Sequence, residues 1–243
     1  MPFTPAHAVA ALPFRKTRLN LPAMVVGCLS PDFEYFFQLA PQGSFGHTWL
    51  GVLVADLPVS LLVLWLYQSY LKAGLYAVGP GLFPFREEGR KAEPIARGAM
   101  QWVIVVVSIL LGAATHIVWD AFTHKHLWPY DHIAFLRTHF SVFRWRVDMC
   151  NFLQTASSVA GMVVLLVMWT RWAGAARQPG MPTVRRLGAV LAAMALLIAV
   201  LRTVAMAYLF GKLVLTIIGV VTFLTTLLLL VGLTGAWRRW MPE

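Results

Sequence analysis

Residues 98–124 read "GAMQWVIVVVSILLGAATHIVWDAFTH", an apolar run that ends in two histidines and an aspartate spaced four apart. Its length matches the roughly 20 apolar residues needed to cross a hydrocarbon core, so a membrane-spanning helix is expected over 98–122. On such a helix, positions four apart fall about 40° around and about 6 Å along. His116, Asp120 and His124 therefore form a stripe on one face. Ionisable groups at this depth are costly unless paired or metal-bound, which makes the stripe the first candidate for function.

The rest of the chain supports the same class. It has 243 residues, 59% of them hydrophobic and 12% charged, against roughly 45–50% and about 25% in soluble domains. Apolar stretches at 50–71, 151–172, 187–209 and 213–236 are also long enough to span. Residues 21–38 are interrupted by Pro31, Asp32 and Glu34, and 4–13 is too short to cross. A helical hairpin joined by "RKTRLN" fits both segments. The expected fold is all-α, a polytopic integral membrane bundle of five to six transmembrane helices with a short amino-terminal helix and a surface lid. It forms one membrane domain over 1–243: a metal-site half at 1–130, an interfacial lid at 123–150 and a carboxy-terminal three-helix part at 151–243. The Ala-rich start precedes its basic cluster, the reverse of a secretory signal peptide.

The net charge of +10 comes mostly from Lys and Arg flanking apolar segments, where membrane retention and anionic headgroups account for it. Membrane lipids are the expected partners, and nucleic acid is not. Loops 72–97 and 173–186 with Arg171, Arg238 and Arg239 hold eleven basic residues, against five in 123–150 and at Lys212. That asymmetry puts the carboxy terminus in the cytoplasm and the lid, with the site, outside it. Cys28 and Cys150 lack metal or redox spacing and read as small buried hydrophobes.

Further donors lie upstream of the stripe. Asp32 and Glu34 follow Pro31, His47 stands just ahead of the 50–71 span, and His7 sits on the short first helix. Donors from three segments can converge on a divalent cation. Asp56 reads as structural, capping a helix start before Pro58 and pointing about 180° from His47 on a continuous helix. Arg137, Arg144 and Arg146 on the lid suit either a phosphate headgroup or the lipid surface.

The ordered motifs "FTPAHAVAALP", "LSPDFEYF", "GHTWLG" and "THIVWDAFTHKHLWP" resemble an uncharacterised membrane family (DUF4184-like) that begins MPFT-x-x-H and carries SPD-[FL]-E. They are similar, more distantly, to the LexA-binding type of inner-membrane metal-dependent hydrolases, and remotely to zinc-dependent phospholipase C and P1-type nucleases. The resemblance implies a bacterial plasma-membrane protein. It further implies a zinc ion held by Asp32, His47, His116 and Asp120, with His7 and Asp120 at a neighbouring ion. The His-x-x-x-Glu helix of the soluble enzymes has no counterpart after residue 124, so one or two ions are expected, with His124 a further candidate ligand.

These readings lead to a membrane-embedded, metal-dependent hydrolase acting on a phosphate ester of a lipid or lipid-linked substrate. Asp120 is expected to act at the metal, Glu34 as base or orienting group, and Arg137, Arg144 and Arg146 on the substrate. The rivals are a proton-coupled transporter or lipid-handling protein using the His/Asp cluster as a relay, and a non-catalytic protein with a structural metal.

Overall fold

A computed structural model describes residues 3–38, 45–72, 94–125, 127–142 and 145–175. A 3-10 helix over Thr4–Lys16 opens the chain. It is followed by α1 (Leu21–Leu29), a 3-10 turn (Ser30–Asp32) and α2 (Phe33–Gln38). The next helical stretch joins α3 (Trp49–Gly51), a π-helical segment (Val52–Asp56), α4 (Leu57–Leu66) and a second π segment (Tyr67–Leu71). Then come α5 (Ala99–Thr123), α6 (Trp128–His132), a 3-10 turn (Ala134–Arg137), a hairpin of β1 (His139–Val142) and β2 (Trp145–Asp148), and α7 (Met149–Ala175).

Among the described residues three helical stretches are long and apolar enough to cross a membrane: Trp49–Tyr70, the one that begins at Ala99 and contains α5, and Met149–Met168. They match the expected spans at 50–71, 98–122 and 151–172. The expected spans at 187–209 and 213–236, the loop at 173–186 beyond its first residues, and most of 72–97 lie outside the described residues.

The amino-terminal hairpin forms as its residues dictate. Asn20 accepts the Ala23 amide at 3.0 Å and so caps α1, with Pro22 in the first turn. Pro31 follows at the break, where α-helix tightens to a 3-10 turn and re-aims the chain at Asp32. In α5 the buried residues are Val105, Ser108, Ile109, Gly112, Ala113, His116, Asp120 and Thr123. That is one helical face, so the polar stripe continues the core stripe.

The helices α1 and α5 meet main chain to main chain. A Cβ on Gly27 would lie 2.2 Å from the Ile109 carbonyl oxygen, and one on Gly112 would lie 2.4 Å from the Met24 carbonyl oxygen. Only glycine permits backbones to approach this closely. One turn beyond Gly112 stands His116, and one turn beyond Gly27 stands Pro31 beside Asp32. The crossing therefore sets the spacing of the two motifs.

The lid departs from the all-α expectation. His139 pairs with Asp148, Phe140 with Val147, Ser141 with Arg146 and Val142 with Trp145 in an antiparallel hairpin. Aromatic and β-branched side chains at these positions favour a pleated strand over a helix. Asp148 accepts from His139 Nδ1 at 2.5 Å and from the Lys125 ammonium, tying the hairpin to the end of α5.

Gly112→Ala should lower stability by about 1–3 kcal/mol, because the added carbon meets main chain that cannot yield. Gly98→Ala, where a Cβ meets nothing within 4 Å, should cost less, only the small preference for glycine over alanine at the N-cap of α5. Thermal unfolding of both variants in detergent checks this.

Candidate metal centre

The amino-terminal helix brings two residues to the site by its own geometry. Three residues per turn stack positions three apart, so Thr4 and His7 share a face. Thr4 Oγ1 donates to Asp32 Oδ2 at 2.5 Å, and His7 Nε2 lies 3.5 Å from Asp120 Oδ1. The Phe3 amide donates to Ser158 Oγ at 2.9 Å, pinning this helix to α7.

Four side chains from three segments then converge. His47 Nε2 lies 3.6 Å from Asp32 Oδ1 and 3.5 Å from Asp120 Oδ2; His116 Nε2 lies 3.6 Å and 3.5 Å from the same two oxygens. Ligand atoms about 2.0–2.2 Å from a shared tetrahedral ion stand about 3.3–3.6 Å from one another. The four distances are close to that size, and the donor atoms of Asp32, His47 and His116 lie within 4.8 Å of one another, as do those of His7, His116 and Asp120. The four distances are too long for direct hydrogen bonds, and His7 Nε2, Asp32 Oδ1, both nitrogens of His47, His116 Nε2 and Asp120 Oδ1 are buried without a hydrogen-bond partner.

The supporting bonds leave the converging atoms bare. A carbonyl only accepts, so His116 Nδ1 must donate to the Cys28 carbonyl at 2.8 Å, which leaves Nε2 unprotonated in the neutral ring. Thr4 occupies one oxygen of Asp32 and leaves the other for the cluster. Such outer bonds orient metal ligands in general. The His7 and His116 rings stack with centroids 3.8 Å apart, and His47 meets His116 edge-on at 5.3 Å. Burial, with His116 close by, pushes the His7 pKa down to about 3, so this ring stays neutral over the working range. Two carboxylates would carry a charge that one divalent cation balances, and the donor set of imidazole and carboxylate suits zinc.

His7, Asp32, His47, His116 and Asp120 are thus brought together. His124 reaches only the rim: α5 ends at Thr123, and His124 Nδ1 turns back to donate to the Asp120 carbonyl at 2.8 Å. Its Nε2 faces the Gln154 amide at 3.5 Å. Glu34 Oε2 accepts the Gly46 amide at 3.2 Å and so braces the turn that carries His47. Arg137 and Arg146 are exposed on the lid and make no ion pair with the cluster among the described residues; Arg144 and His126 lie outside the described residues.

Asp56 was misjudged from sequence. The chain turns before Trp49, so His47 is not on the helix, and a π-helical segment precedes Pro58, so the count of 100° per residue fails. The Asp56 side chain makes no cap bond. Its Oδ1 lies 3.2 Å from where a Gly46 Cβ would stand, beside the His47 turn. Thr4 and the buried Tyr35, whose ring centroid is 6.0 Å from His47, also belong to the site and went unremarked. Spacing by three in a helix carrying Pro5 and Pro13 was the available signal for Thr4.

Membrane-length helices meeting at a buried His/Asp cluster define the class. The chain belongs to the family described as domain of unknown function DUF4184, which matches residues 1–234. No curated protein and no solved structure matches it.

The depressed His7 pKa has a consequence for stability. As pH falls through about 6.5 the unfolded chain takes up a proton at His7 that the folded chain refuses until about pH 3. Metal-free protein should therefore lose stability across that window, and His7→Gln should bind one proton fewer on unfolding there. Unfolding free energy measured from pH 7 to pH 4 gives the slope.

Proposed function

We propose that the chain is a membrane-embedded metal-dependent hydrolase acting on a phosphate ester of a lipid or lipid-linked substrate. The observation that carries this reading is the set of donor spacings of 3.5–3.6 Å among Asp32, His47, His116 and Asp120, in which Asp32 Oδ1, His47 Nε2 and His116 Nε2 are buried with no hydrogen-bond partner. In this reading those four residues hold the first cation, and His7 with Asp120 Oδ1 offers a second position. A divalent ion there supplies Lewis-acid polarisation of a phosphoryl oxygen and a water acidified toward pH 7.

The protein's own groups do the positioning. Thr4 and the Cys28 carbonyl aim Asp32 and His116, and Glu34 holds the His47 turn. The cluster is open where the side chains of His47 and His124 are 20% and 29% exposed. That opening lies at the end where Trp49 starts one membrane-length helix and Thr123 finishes another. The lid with Arg137, Arg144 and Arg146 follows directly, and these guanidiniums are suited to clamp a phosphate headgroup. Headgroup-level placement favours a lipid-borne substrate over a soluble one. The reading includes five to six spans in a helical bundle and a plasma-membrane location.

Purified protein should retain one or two equivalents of zinc or a similar ion, and His116→Ala and Asp32→Ala should each lose most of it. Turnover on a panel of phosphate esters should be abolished by chelator and restored by metal. Equal metal content in the three proteins would remove the site, and chelator-insensitive, proton-driven uptake into vesicles would favour the relay reading instead.

A further inference from the structure

Two of the converging ligands have an outer partner that aims them. His116 Nδ1 donates to a carbonyl and Asp32 accepts from Thr4, while His47 Nδ1 is buried with no partner at all. A neutral imidazole that offers Nε2 to a cation must carry its proton on Nδ1. An unsatisfied buried N–H costs about 1–3 kcal/mol. Something should accept it.

Asp56 is the group in place to do so. It is 4% exposed and its Oδ2 is buried without a partner. The carboxylate lies against Gly46, whose missing Cβ leaves room between Asp56 Oδ1 and the Pro31 carbonyl, 3.2 Å and 2.7 Å from that position. His47 follows Gly46 directly, and His47, His116, Glu34 and Asp32 are all within electrostatic reach of Asp56. A capping role does not explain the burial, since Asp56 makes no bond to the start of α4. We propose that Asp56 is the positioning residue for His47: its carboxylate accepts the Nδ1–H through one bridging water, and so holds Nε2 bare toward Asp32 and Asp120.

The tautomer is a property of the metal-free protein, whereas the effect on cation affinity rests on the metal-centre reading above. Two readouts on Asp56→Leu and Asp56→Asn separate them. Leucine is of similar size and removes both acceptors; asparagine keeps a neutral acceptor oxygen. In 15N-histidine-labelled, metal-free protein, with the His47 signal assigned by its loss in His47→Gln, the wild type should show the Nδ1–H form. Asp56→Leu should move toward the Nε2–H form and Asp56→Asn should stay near wild type. Zinc affinity should fall about 10- to 100-fold in Asp56→Leu, with Asp56→Asn between.

A tautomer change in a wild type that binds no metal would keep the role of Asp56 and refute the metal centre. Unchanged ring signals in Asp56→Leu overturn the role, whatever the zinc affinity. A lowered unfolding midpoint in metal-free Asp56→Leu, with the His47 signal unmoved, would assign Asp56 to structure alone and also overturn it.

Discussion

Two aspartates face the same pair of imidazole nitrogens in the interior of this protein, and the rest of the structure answers to that arrangement. Asp32 and Asp120 are 1% and 3% exposed. Among the described residues no lysine or arginine pairs with either. Buried carboxylates without compensating charge cost several kcal/mol each. Protonating the imidazoles would balance them, but it would set like charges on the His7 and His116 rings, stacked 3.8 Å apart. A single divalent cation balances both carboxylates and gives the bare nitrogens a partner at the same time. The physical case for a metal thus comes from charge and orphaned atoms together, and distance alone would be a weaker argument.

Holding donors in such an arrangement falls to parts of the chain that carry no chemistry. The Gly27–Gly112 crossing lets α1 and α5 touch main chain to main chain, which puts Asp32 and His116 in register. A 3-10 helix, rather than an α-helix, lets Thr4 and His7 face the same way. Gly46 draws the His47 turn in against Pro31 and Asp56. Each is a backbone constraint, less able to relax than a side chain would be. In the metal-centre reading, donors held this way would keep their geometry with or without the cation.

How much of this the sequence revealed depends on whether regular geometry applied. The stripe His116, Asp120, His124 was legible because α5 is an ordinary α-helix through position 123, and its failure at His124 coincides with the end of that helix. The break at Pro31 was legible because proline has one reading there. The three described spans matched because twenty apolar residues have few other fates. Asp56 was not legible, since the inference assumed uninterrupted α-helix across a π segment and through a residue that precedes the helix. The lid hairpin was missed because aromatic and basic residues at a membrane surface suit either a helix or a strand. The glycine crossing went unnoticed because a close approach is a property of two segments, and neither alone announces it.

The position of the cluster along α5 adds a last electrostatic term. His116 and Asp120 occupy the final turns of a 25-residue helix, where aligned peptide dipoles amount to about half a negative charge. That potential adds to the two carboxylates, so the cluster favours a cation and repels a phosphate. An anionic ester could approach only after the carboxylates had been neutralised. In the hydrolase reading, cation binding therefore precedes substrate binding as a matter of charge. In the same reading Arg137 and Arg146, exposed on the lid, would meet the ester without competing for Asp32 and Asp120.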